Sequence, residues 1–175
     1  RRIRKMAETK LGKVILVGAG PGDPKLITIK GKEALERADV VLYDALSNEE
    51  ILDFAPKTST KIFVGKRGGK ESIGQEEIQE LMLNHARSGK IVVRLKGGDP
   101  MIFGRGAEEL EFLVAQNIPV EIIPGVTSAI AVPTSAGIPL THRALSSSVA
   151  FITGRRRVDD LPIQIPPFGS VDTLV

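Results

Sequence analysis

The sequence predicts an α/β fold: a mostly parallel five-stranded sheet flanked by helices, followed by the start of a second α/β domain. Three observations carry that expectation. Short β-branched and aliphatic runs alternate with segments of helical periodicity along most of the chain. Several of those runs end in glycine-rich turns, as strands do when their carboxyl ends face a ligand. The length of 175 residues suits one domain and part of another, since domains commonly hold ~100–200 residues.

Taken in order, Val14 to Val17 is an apolar strand that runs into Gly18-Ala19-Gly20-Pro21-Gly22-Asp23. Thr28 is a candidate N-cap for a helix that ends around Ala38. Val40 to Tyr43 reads as the second strand and delivers Asp44 at its end. Ser47, with Glu50 three positions later, makes a capping box for a short helix carrying Ile51, Leu52 and Phe54. Lys61 to Val64 is the third strand, followed by Gly65-Lys66-Arg67-Gly68-Gly69. Glu76 to Arg87 is helical, with Ile78, Leu81, Met82 and His85 at i, i+3, i+4 and i+7. His85 is read as the border of that buried stripe rather than as a catalytic group. Ile91 to Leu95 is the fourth strand and stops at Gly97-Gly98-Asp99-Pro100. A helix from about Ala107 to Ala115 turns Leu110, Leu113 and Val114 inward, and Val120 to Ile123 completes the sheet.

The expected organisation is a basic tail over residues 1–11, a first domain over 12–143, a linker over 144–148 and the start of a second domain over 149–175. Val149 to Thr153 reads as a strand of that second part. Arg155 to Arg157 and a proline-rich stretch from Pro162 to Pro167 follow, and Asp172 to Val175 begins another strand. About 27 residues cannot bury a core of their own, so the second domain is expected to be cut short.

Composition narrows the function. At 42% hydrophobic and 26% charged, the chain matches ordinary soluble globular proteins. The net charge is only +3, and five of the basic residues lie in the first ten positions. With 4% aromatic residues and no Trp, nucleic-acid binding is not expected. The absence of Cys excludes disulfides, a thiolate nucleophile and thiolate metal ligands. His85 and His142 are too few and too separate for a histidine metal cluster, so no metal is expected. No apolar run approaches the ~20 residues needed to span a bilayer. The opening Arg-Arg-Ile-Arg-Lys has no apolar segment behind it, as a secretory signal would. A cytoplasmic protein without a membrane partner is expected.

Three segments carry the chemistry. Gly18-Ala19-Gly20-Pro21-Gly22-Asp23 invites a dinucleotide reading, with Asp44 about 20 residues downstream as the ribose acid. The detail argues against it: the third glycine of the fingerprint falls on Asp23, which would repel a pyrophosphate, and Pro21 removes an amide donor. The loop suits a neutral or cationic ligand better. Gly97-Gly98-Asp99 offers a carboxylate and bare backbone to an adenosine-type ligand with a positive centre, such as S-adenosylmethionine. Pro124-Gly125-Val126-Thr127-Ser128-Ala129 combines a strand end with small hydroxyl residues, which alone is ordinary N-capping.

Together, G-A-G-P-G-D-P-x-L-I-T, V-V-L-Y-D-A-L, G-K-R-G-G-K, V-V-R-L-K-G-G-D-P-x-I-F-G-R-G and P-G-V-T-S-A-I-A resemble the uroporphyrinogen-III C-methyltransferases of the tetrapyrrole methylase superfamily. The resemblance runs from about Gly12 to Gly154 and is most specific from Lys96 to Gly106. It implies a two-domain α/β homodimer that holds S-adenosylmethionine between its domains. Two methyl groups would pass to ring carbons of uroporphyrinogen III, giving precorrin-2, the branch point to sirohaem and cobalamin. The resemblance assigns cofactor contacts to Pro21, Gly97, Gly98, Asp99, Ile102, Thr127 and Ser128. It makes Asp44 the proton acceptor and Lys66 the proton donor. Asp44 could instead serve a helix start, and Lys66 could bind substrate carboxylates. Two alternatives stay open: a sibling methylase acting on a later corrin precursor, and a truncated chain that folds but turns over nothing.

Overall fold

The computed structural model describes residues 11–65, 73–153, 167 and 169–175. Lys66, Arg155 to Arg157 and most of the proline-rich stretch lie outside them. The chain divides into two compact units, Arg1–Thr127 and Ser128–Val175.

The first unit is built on five strands: β1 (Lys13–Gly18), β2 (Val40–Tyr43), β3 (Thr60–Phe63), β4 (Ile91–Lys96) and β5 (Val120–Ile123). They lie in the order β3-β2-β4-β1-β5, and every pairing is parallel. Side chains alternate between the two faces of a strand, so parity decides which helix each residue meets. Ile15, Val17, Val41, Val93 and Leu95 pack against α1 (Ile29–Leu35) and a short 3-10 helix, Glu49–Phe54. Val14, Leu16, Val40, Leu42 and Val92 pack on the other face against α2 (Gln75–Arg87) and Leu113 of α3 (Gly106–Ala115). A parallel sheet covered on both faces needs such unbroken apolar runs, which is why the strands were readable as continuous stretches.

Three local readings need correction. The short helix after β2 is a 3-10 helix whose N-cap is Asn48, with its side chain accepting from the Glu50 amide. Ser47 is not its cap, because the Ser47 hydroxyl donates to Asp44 instead. In α3, Leu113 is fully buried, but Val114 is 57% exposed and does not face the core. Elsewhere Thr28 caps α1 through the Gly31 amide as expected, although the helix closes at Leu35, ahead of Ala38.

His85 stands at the end of the sheet away from Asp44. It lies in the last turn of α2, and its carbonyl accepts from the Lys90 amide next to the first residue of β4. That is the amino edge of the sheet, opposite the edge where Asp44 follows β2. Burial, helped by the Lys90 charge, holds its imidazole below the usual histidine range, as befits a border residue.

The second unit begins with α4 (Ser128–Ser135), which carries Pro133 inside it. The helix ends where Gly137 adopts a left-handed φ of 72° and the Ile138 amide reaches back to the Pro133 carbonyl. Two short strands follow, β6 (Val149–Ala150) and β7 (Thr173–Leu174), paired in parallel. They occupy part of the two runs read as strands. Asp172 ties them together by accepting from the amides and hydroxyls of Ser147 and Ser148. Those donors hold its carboxyl below the usual range, the Ser147 amide contributing most.

Candidate active site

All five strands of the first unit end at the same edge of the sheet, so the segments that follow them gather there. The chain leaves β1 toward α1 on one face and leaves β4 toward α3 on the other. The carboxyl ends of β1 and β4 are therefore a topological switch point, the place where open α/β sheets bind ligands. Gly20 and Gly98 bridge it. The Gly20 amide donates to the Gly98 carbonyl at 3.1 Å, and the Gly98 amide to the Gly20 carbonyl at 2.7 Å. The Gly98 backbone groups, offered above to a ligand, are thus taken up by the other glycine turn. What remains open is the bare face of the residue: with φ +66°, a Cβ there would touch only the Thr127 Cα, at 3.7 Å.

The third segment closes against the first two. A Cβ on Gly125 would stand 2.2 Å from the Gly98 carbonyl oxygen, and one on Gly18 would stand 2.5 Å from the Gly125 Cα. Glycine at both positions is a condition of bringing three strand ends together. Asp99 fastens the arrangement. Its Oδ1 accepts from the Met101 amide at 2.8 Å, and its Oδ2 accepts from the Gly125 amide at 2.9 Å. Asp99→Ala is therefore expected to cost about 1–3 kcal/mol of stability, as hydrogen bonds to a charged group do. A thermal melt of the variant beside the parent protein measures that cost.

Asp44 stands one strand away, directly after β2. Its Oδ1 accepts from the Leu46 amide at 3.1 Å and from the Ser47 hydroxyl at 3.3 Å. Its Oδ2 faces the Arg94 guanidinium at 3.5 Å, while its side chain keeps 23% of its surface open to solvent. Asp23 Oδ1 accepts from the Lys25 amide and caps a 3-10 turn, Pro24–Leu26. Pro21, Gly97 and Thr127 are half-buried, whereas Ile102 is exposed and Ser128 is the exposed first residue of α4. Beyond Asp99, the chain takes a left-handed backbone at Phe103, φ 51°, and Arg105, φ 59°. Two non-glycine residues in that region so close together mark a loop held by its surroundings.

Sequence reasoning missed the buried ions beneath this edge. Arg94 and Lys96 are each only 4% exposed, and Glu109 on α3 is fully buried. Glu109 Oε1 accepts from Lys96 Nζ at 3.1 Å, Arg94 Nε at 3.3 Å and Gln75 Nε2 at 3.1 Å. Burial holds the Lys96 ammonium below the usual lysine range, Arg94 adds to this, and Glu109 opposes it. A signal existed. Residues 94 and 96 share a face of a strand whose other members are aliphatic, and a doubly covered sheet leaves no solvent for either.

Residues 13–164 match the family model for Tetrapyrrole (Corrin/Porphyrin) Methylases. The chain belongs to that family. A tetrapyrrole methylase of Methanocaldococcus jannaschii, uroporphyrinogen-III C-methyltransferase, is 57% identical over 154 residues, covering 88% of this chain and 64% of the relative. The structure of the Thermus thermophilus uroporphyrin-III C-methyl transferase with S-adenyl homocysteine matches with a TM-score of 0.68 and 53% identity, over 80% of this chain and 58% of that one. Cobalt precorrin-4 methyltransferase, a cobalamin biosynthetic enzyme, matches with a TM-score of 0.72 and 36% identity, over 83% and 59% of the two chains. The chain thus spans somewhat over half the length of these relatives.

Among the described residues, no helix is long and apolar enough to cross a membrane.

Proposed function

We propose that the protein transfers methyl groups from S-adenosylmethionine to ring carbons of uroporphyrinogen III, yielding precorrin-2 for sirohaem and cobalamin synthesis. The observation that carries this reading is the meeting of Gly18-Gly20, Gly97-Asp99 and Gly125 at the carboxyl edge of β4-β1-β5. That edge presents the bare face of Gly98 and the carboxylates of Asp44 and Asp99, with the apolar Met101 and Ile102 exposed beside them. Such a surface fits an adenosine-type ligand that carries a cationic centre and no phosphate.

S-adenosylmethionine, when bound, supplies an electrophilic methyl group. In this reading Pro21, Gly97, Gly98, Asp99, Ile102, Thr127 and Ser128 hold and orient it. Asp44 accepts the proton that a ring carbon sheds after methylation, because its carboxylate is fixed at both oxygens yet keeps part of its surface open to solvent. Lys66 donates a proton or binds a substrate carboxylate. Holding two reactants in line accounts for much of the rate, since no covalent enzyme intermediate is needed. We further propose a first domain over residues 12–143, a linker over 144–148, a second domain from 149, a homodimer and a cytoplasmic location.

The test is incubation of the intact protein with methyl-labelled S-adenosylmethionine and uroporphyrinogen III. Dimethylated product is expected. The likeness to cobalt precorrin-4 methyltransferase favours a second reading, a methylase of later corrin precursors. Label entering a corrin precursor but not uroporphyrinogen III would establish that reading in place of the first.

A further inference from the structure

Arg94 sits on the β4 face that looks toward α2 and α3, with the side chains of Val92 and Lys96. Its guanidinium has three different acceptors. Nε donates to Glu109 Oε1 at 3.3 Å, Nη1 to the Leu95 carbonyl at 2.8 Å and Nη2 to Asp44 Oδ2 at 3.5 Å. A planar fork engaged on three sides cannot turn without losing a partner. Glu109, the anchor, is fully buried and shared with Lys96 and Gln75. Breaking a buried network of this kind leaves an uncompensated charge, so it has little freedom to relax. Asp44 is caught between this network on Oδ2 and the Leu46 amide with the Ser47 hydroxyl on Oδ1.

We propose that Arg94 is a positioning residue for Asp44, joined by Glu109 to the first turn of α3. The network makes the aim of the Asp44 carboxylate depend on the helix that leaves the Gly97–Arg105 loop. A cation with donors aimed at three separate acceptors fits there, and the compact, strongly hydrated ammonium of lysine does not replace it. The proposal rests on the reading of Asp44 as the proton acceptor, and the test separates the two.

The test is a double-mutant cycle in the intact protein with Asp44→Asn, Arg94→Met and the pair combined. Methyl transfer to uroporphyrinogen III and S-adenosylhomocysteine affinity are measured for each. Arg94→Met is expected to lower kcat about 10- to 100-fold, the scale of a misplaced catalytic group. Cofactor affinity should stay within about threefold, and the combined variant should be no slower than Asp44→Asn alone within about threefold. Losses that multiply, or an Arg94→Met enzyme at the parent rate, would overturn the proposal. Should Arg94→Met not fold, Arg94→Met/Glu109→Gln removes one charge of each sign and carries the same cycle. Full activity in Asp44→Asn would remove the proton-acceptor reading by itself. The crystal structure of the Arg94 variant then decides the inference: a displaced Asp44 carboxylate supports it, and an unmoved one overturns it.

Discussion

Asp44→Asn is expected to cut methyl transfer by about 10²–10⁴, the usual worth of a positioned acid–base group. Affinity for S-adenosylhomocysteine should remain within about threefold of the parent. The substitution keeps the shape of the side chain and an oxygen that can accept from the Leu46 amide, so the turn after β2 has no reason to open. What disappears is the capacity to take a proton, together with the negative charge that faces Arg94. The alternative role for Asp44, a ribose ligand in a dinucleotide site, predicts the reverse: weaker cofactor binding and unimpaired chemistry at saturation. Titrating S-adenosylhomocysteine into the variant and then measuring the saturated rate distinguishes the two.

Gly125→Ala is expected to disable cofactor binding through packing alone. Its Cβ would stand 2.2 Å from the Gly98 carbonyl oxygen and 2.7 Å from the Gly18 Cα. Both are backbone atoms of neighbouring strand ends, so no change of rotamer relieves the clash. Separating the ends also pulls the Gly125 amide from Asp99, which undoes the clasp on the loop after β4. Overpacking of this kind typically costs about 1–3 kcal/mol. A loss of cofactor affinity of about tenfold or more should accompany it, since ~1.4 kcal/mol is a factor of ten. Gly74→Ala serves as the control, because a Cβ there meets nothing within 4 Å and the residue already has an ordinary φ of −64°. A melt and a calorimetric titration on both variants check the contrast.

The sheet was legible because burial on both faces forces strands to be written as continuous apolar runs. Val40 to Tyr43 and Val120 to Ile123 end where their strands end. The 3-10 helix after β2 was not legible, since Asp44, Ser47 and Asn48 are all capping residue types, and only the fold gives the Leu46 amide and Ser47 hydroxyl to Asp44 and the Glu50 amide to Asn48. Periodicity also could not tell Leu113 from Val114, because adjacent helical positions separate only when the neighbouring sheet is in place. At the candidate site, the glycine segments were found as motifs, but their mutual contact was not. Gly20 and Gly98 lie far apart in the chain and meet only because β4 inserts beside β1. The buried ions were the least visible part. Arg94 and Glu109 belong to a strand and to the helix that follows it, and each looks like a surface residue until the fold encloses both.

The most direct test of the account is where the methyl donor's demethylated form binds. A crystal structure of the intact protein with S-adenosylhomocysteine is predicted to place the ligand at the carboxyl edge of β1 and β4, against Pro21 and Gly97 to Asp99. Its sulfur should lie on the side of the edge that Asp44 faces. Binding at the amino edge of the sheet near His85, or anywhere that leaves the Gly97–Asp99 turn untouched, would contradict the assignment of this edge as the active site.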